Sequence, residues 1–125
     1  MKKQITTENA PGAIGPYSQG ISGGGLVFTS GQLPINPKTG EMPDGIEQQT
    51  EQSLLNLKAV LEAAGASMAG VVKTTVFLQK MSDFAQMNEV YSRFFAEPHP
   101  ARSCVEVAKL PKDALVEIEC MAIVD

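Results

Sequence analysis

Tryptophan is absent from this chain of 125 residues, histidine occurs once and cysteine twice. That inventory offers no cluster of metal ligands, so the sequence suggests neither a metal site nor a bound cofactor. Positive charge is also short. Ten Lys and Arg stand against fourteen Asp and Glu, a net charge of −4, and the basic residues are scattered. A nucleic-acid surface needs clustered cations to neutralise phosphates, which argues against that class of partner. No segment approaches the ~20 consecutive apolar residues of a membrane span. The start, Met1-Lys2-Lys3-Gln4-Ile5-Thr6-Thr7-Glu8, is basic but has no apolar run behind it. It reads as no signal peptide, and the expected address is the cytoplasm.

What is present suffices for a core. Hydrophobic residues make up 43% of the chain, which excludes a disordered polymer, and the length fits one domain over residues 1–125. Lys2 to Thr7 reads as a short first strand. Asn9 to Pro16, with two prolines and two glycines, is a loop. Tyr17–Ser22 and Leu26–Ser30 are strand-like and flank Gly23-Gly24-Gly25, a hairpin turn. Ile46, Thr50, Leu54, Leu57, Leu61 and Ala64 form one apolar stripe of a helix over about Gly45–Ala64, with Gly65 as its stop.

Val71–Leu78 is β-branched almost throughout and reads as a strand. A second helix begins after a Ser82 or Asp83 cap, buries Phe84, Met87, Tyr91 and Phe94 or Phe95, and ends before Pro98 and Pro100. Two last strands flank Leu110-Pro111-Lys112-Asp113. The order is βββαβαββ, an α+β layout with one mixed six-stranded sheet and both helices on one face, since a strand-helix-strand crossover is right-handed. Val71–Leu78 and Leu115–Val124 are nevertheless apolar on both faces. A second copy of the chain is the expected cover, which makes a homo-oligomer with clefts between subunits.

The chemistry gathers on Pro100-Ala101-Arg102-Ser103-Cys104-Val105-Glu106-Val107. Strand alternation puts Arg102, Cys104 and Glu106 on one face. An arginine in such a strand needs an anion, either a protein carboxylate or one that arrives as ligand. If the last two strands form a hairpin about Leu110–Pro111, Cys104 faces Glu117 and Arg102 faces Glu119. Two readings then stand: an Arg102–Glu119 ion pair, or an arginine that forks a ligand carboxylate while Glu117 handles a water. Cys104 is either a nucleophile without a histidine beside it or a small core residue. Cys120 should face away from Cys104, which argues against a disulfide. His99, between two prolines, reads as a loop residue without a role, and Tyr17 as either a core-covering aromatic or a deliberately placed one.

Taken together, Ala13-Ile14-Gly15-Pro16-Tyr17-Ser18-Gln19, Thr29-Ser30-Gly31-Gln32-Leu33-Pro34, the Pro100–Val107 segment, Leu110-Pro111 and Val116-Glu117-Ile118-Glu119 resemble the RidA (YjgF-type) family of small deaminases. The resemblance covers essentially the whole chain. It implies a chorismate-mutase-like α+β fold and a homotrimer with three sites between subunits. The implied activity is hydrolysis of 2-imino acids, the unstable products of pyridoxal-phosphate dehydratases, to 2-keto acids and ammonia, without a cofactor. Arg102 and Glu117 match the catalytic positions, as carboxylate clamp and water-handling base. Tyr17, Ser30, Gly31, Asn88, Arg102, Ser103 and Cys104 match the substrate-binding ones. Cys120-Met121 departs from the small or branched aliphatics usual there, a matter of packing only. A rival reading is that the same cleft binds a keto acid or amino acid as a signal without turnover, making the chain a regulatory partner; members of the family are also described as ribonucleases and as holdase chaperones. The charge counts against the ribonuclease.

Overall fold

The computed structural model describes residues 1–124. Its elements are β1 (Lys3–Ile5), β2 (Gly20–Gly23), β3 (Leu26–Thr29), α1 (Ile46–Ala63), β4 (Val71–Leu78), α2 (Phe84–Ser92), β5 (Ala101–Glu106) and β6 (Val116–Ile123). The order is the expected βββαβαββ, and the class is α+β. Tyr17–Gln19 lie outside β2, which starts only at Gly20.

Local chemistry explains the boundaries. Gly24 and Gly25 both take positive φ, 59° and 79°, which is the type I′ geometry that lets β2 turn tightly into β3. Helix α1 ends in a Schellman motif on Gly65 (φ 79°): the Gly65 N–H donates to Glu62 O and the Ala66 N–H to Leu61 O. Its stripe of Ile46, Thr50, Leu54, Leu57 and Leu61 is buried against the sheet. At α2 the expected cap is replaced. Asp83 makes no side-chain capping bond, and the Glu106 carboxylate of β5 instead accepts the Met81 N–H at 2.7 Å, just ahead of the helix. Phe84, expected in the core, is 36% exposed, whereas Met87, Tyr91 and Phe95 are buried.

The sheet order corrects one expectation with consequences for the site. It runs β1-β2-β3-β6-β4-β5, so β5 and β6 are not a hairpin. Strand β5 pairs parallel with β4 at the sheet edge, and β6 runs antiparallel between β3 and β4. The physical reason is burial. Val116, Ile118, Cys120 and Ala122 of β6 are 0–4% exposed and need a neighbour on each side, while no residue of β5 is fully buried. Both helices cover the face carrying Val76, Leu78, Val116 and Ile118. The opposite face is left open, with Leu26, Phe28, Val105, Met121 and Ile123 exposed.

Candidate active site

Register across β4 decides which candidates can meet. Thr74 pairs with Arg102 on one side and Cys120 on the other, while Thr75 pairs with Ser103 and Glu119, and Phe77 with Val105 and Glu117. Arg102 and Cys104 therefore share the helix-covered face with Cys120, and Glu117, Glu119 and Ser103 lie on the open face. The expected Arg102–Glu119 pairing and the expected Cys104–Glu117 apposition are both lost, because β4 stands between the strands and the residues point to opposite sides. Cys120 does not face away from Cys104 as expected, yet the two remain free, separated by the width of β4.

Helix α2 brings its own residues to Arg102. Asn88 Oδ1 accepts from Arg102 Nη1 at 2.7 Å, and the guanidinium carbon lies 4.8 Å from the Tyr91 ring centroid and 5.5 Å from that of Phe84. Among the described residues the ion pairs are Glu89–Arg93 and Lys109–Asp113, both at the surface, and neither involves Arg102. Its guanidinium faces a cavity of about 470 Å³ lined by Asn88, Tyr91, Ser92, Phe95, His99 and Pro100. His99, given no role from sequence, thus lines this cavity. On the same strand, burial pushes the Cys104 thiol above its ordinary pKa and Arg102 offsets this only in part, so the thiol stays protonated and a poor nucleophile.

A second cluster forms where β6 passes the end of β3. A Cβ on Gly31 would sit 2.8 Å from Glu117 Cδ and 3.0 Å from Oε2, so the backbone there is pressed against the carboxylate, and any larger residue would have to displace the glutamate side chain. Burial, and then the charge of Glu119, raise the proton affinity of Glu117 above that of an ordinary glutamate. Ser30 is turned away, its Oγ donating to Ser18 O at 2.6 Å. Ser103 Oγ accepts from Lys73 Nζ at 3.1 Å on the open face. Tyr17 is 53% exposed and lines a different cavity, in the loop that the Gln19 side chain holds through Thr7 and Pro11.

One chain therefore assembles Arg102 with Asn88 and Cys104, and Glu117 with Gly31, but does not join the two groups. From the register, Arg102 and Glu117 are three residues and two strand spacings apart, about 14 Å between Cα atoms, on opposite faces. Sequence reasoning missed Thr74 and Phe84 as neighbours of Arg102. The 84–88–91 spacing was the available signal for Phe84, since it puts three side chains on one side of a helix.

An arginine with no carboxylate paired to it among the described residues, and apart from it a carboxylate that holds its proton unusually well, are groups suited to a protein that handles small anionic molecules by acid–base chemistry. A profile of the family described as endoribonuclease L-PSP matches residues 7–124, and the chain belongs to this RidA-type family. It is similar to the 2-iminobutanoate/2-iminopropanoate deaminase of Escherichia coli, 56% identical over 126 residues and 98% of each chain. A RutC family protein of Pyrococcus horikoshii is 58% identical over 123 residues, again 98% of each. Among solved structures, Escherichia coli TdcF with bound serine superposes with a TM-score of 0.93 at 50% identity, covering 98% of this chain and 99% of that one.

Proposed function

We propose that this chain is a single-domain deaminase, residues 1–125, that hydrolyses reactive 2-imino acids such as 2-iminobutanoate and 2-iminopropanoate to 2-keto acids and ammonia. The observation that carries the reading is Arg102: a cation fixed on one edge by Asn88, free of any carboxylate among the described residues and open to a cavity. An arginine so placed is suited to fork a substrate carboxylate with two parallel hydrogen bonds.

The remaining steps ask little of the protein. The iminium carbon is electrophilic, so a water oxygen bonds to it as the C=N π electrons move to nitrogen. Glu117 takes the proton that the water loses. The resulting carbinolamine collapses when Glu117 returns a proton to the nitrogen: the hydroxyl oxygen's lone pair forms the C=O bond as the C–N bond breaks, ammonia leaves, and the hydroxyl proton passes to the again ionised Glu117 and on to solvent, leaving a 2-keto acid. A raised proton affinity suits a carboxylate that must both accept and give back a proton. Help of this kind is worth ~10²–10⁴-fold, enough for a substrate that hydrolyses unaided. Tyr17, Ser30, Gly31, Asn88, Ser103 and Cys104 form the surrounding wall in this reading.

The site belongs to a homotrimer and lies between subunits. Two observations support this: the exposed apolar face of the sheet, and the ~14 Å between Arg102 and Glu117 within one chain, more than a 2-imino acid can bridge. Arg102 of one subunit then works with Glu117 of the partner subunit. No helix is long and apolar enough to cross a membrane; the expected setting is the cytoplasm, beside the dehydratases that release 2-imino acids.

The test is Arg102→Lys, which keeps the charge but loses the planar fork. The variant should be folded, should lose 2-imino acid hydrolysis measured in competition with semicarbazide, and should no longer gain thermal stability from 2-ketobutyrate. Near-normal hydrolysis would refute the clamp. Stabilisation of the wild type by 2-ketobutyrate without turnover would make it a sensor.

A further inference from the structure

Asn88 is one of three residues that α2 spends on Arg102. Phe84, Asn88 and Tyr91 are spaced i, i+4 and i+7, one stripe of the helix, and all three reach the same guanidinium. Tyr91 is itself immobilised. Its hydroxyl shares a 2.7 Å hydrogen bond with Thr74 Oγ1, and Phe95 lies against its ring at 4.6 Å between centroids. Thr74 is the residue beside Arg102 in the β4–β5 ladder. The ring is thus tied to the strand next to the residue it supports. Phe84 is 36% exposed on a helix whose other large apolar residues are buried, and its contact with Arg102 accounts for that placement. Both ring centroids fall within the ~6 Å over which an aromatic face attracts a cation.

We propose that Tyr91 and Phe84 are positioning residues for Arg102, setting the plane of the guanidinium so that the edge not held by Asn88 is presented to the substrate carboxylate. A long side chain that binds as a fork otherwise loses rotamer freedom at the moment of binding. Here that freedom is already removed by the two rings and the Asn88 hydrogen bond. The inference rests on the reading of Arg102 as carboxylate clamp.

The effect should appear in binding, because a carboxylate fork is made equally in the ground state and the transition state. In the full-length protein, Tyr91→Leu should raise KM for the 2-imino acid and Kd for 2-ketobutyrate about tenfold, and Phe84→Leu about threefold, with kcat changed less than about twofold. Tyr91→Phe keeps the ring and drops only the hydroxyl, and should restore most of the affinity. On an Arg102→Ala background, replacing either ring should cause no further loss. Unchanged KM and Kd in folded Tyr91→Leu and Phe84→Leu proteins would overturn the proposal, as would an equal further loss on the Arg102→Ala background. Should Tyr91→Leu fail to fold, Phe84→Leu at its exposed position decides alone. If Arg102→Ala itself keeps full affinity, the clamp reading falls; if it loses affinity and the ring variants do not, only the positioning role falls.

Discussion

Glu117 and Glu119 stand two residues apart on β6 and share the open face of the sheet. Burial is the first cause of Glu117's raised pKa and the Glu119 charge the second, so the two contributions can be separated by mutation. In the proposed role of base Glu117 must be ionised, so kcat/KM should fall as pH drops through a value above the ordinary 4.5. Glu119→Gln should move that acid limb to lower pH, and a pH–rate profile reads the shift directly. The same group makes a stability prediction of fixed sign. A carboxyl with a raised folded-state pKa contributes stability that is fully present below 4.5 and is lost as pH rises through the folded value. Glu117→Gln should abolish that loss. Melting temperatures across the window should show the wild type falling relative to the variant as pH increases, and parallel curves would contradict the assignment.

Elements differ in how plainly the sequence announces them. The stripe from Ile46 to Leu61, the β-branched run Val71–Leu78 and the glycines at 23–25 each carry their own period or turn chemistry, and each stands where expected. Strand alternation also sorted Arg102 with Cys104, and Glu117 with Glu119, onto common faces. What alternation cannot carry is which strand lies beside which. That depended on β6 being buried from both sides and β5 tolerating an edge, a property of the finished sheet. The pairing of Arg102 with Glu119 therefore failed, and the contact of Gly31 with Glu117, made by a bridge between Gln32 and Ile118, could not be seen. That contact yields a prediction. Gly31→Ala places a methyl carbon 2.8 Å from the carboxylate carbon, so the carboxylate must shift. Hydrolysis should fall about 10²-fold, while circular dichroism remains that of the wild type. Full activity in Gly31→Ala would show that the carboxylate's position is not critical.

For the molecule as a whole, the open face is the deciding feature. Leu26, Phe28, Met121 and Ile123 lie on neighbouring strands β3 and β6 and are 36–45% exposed, a contiguous apolar surface on one side of the sheet. Light scattering at micromolar concentration should give about three times the chain mass, and Phe28→Lys should shift it toward the monomer with loss of activity. A catalytic centre divided between copies also has a genetic signature. On the proposed reading, chains carrying Arg102→Lys and chains carrying Glu117→Gln should each be inactive alone, but unfolded and refolded together they should form mixed rings. About a quarter of the junctions in an equal mixture then join an intact arginine to an intact glutamate. Two null alleles of this gene should therefore complement one another in the same cell, whereas two alleles altered at Arg102 should not.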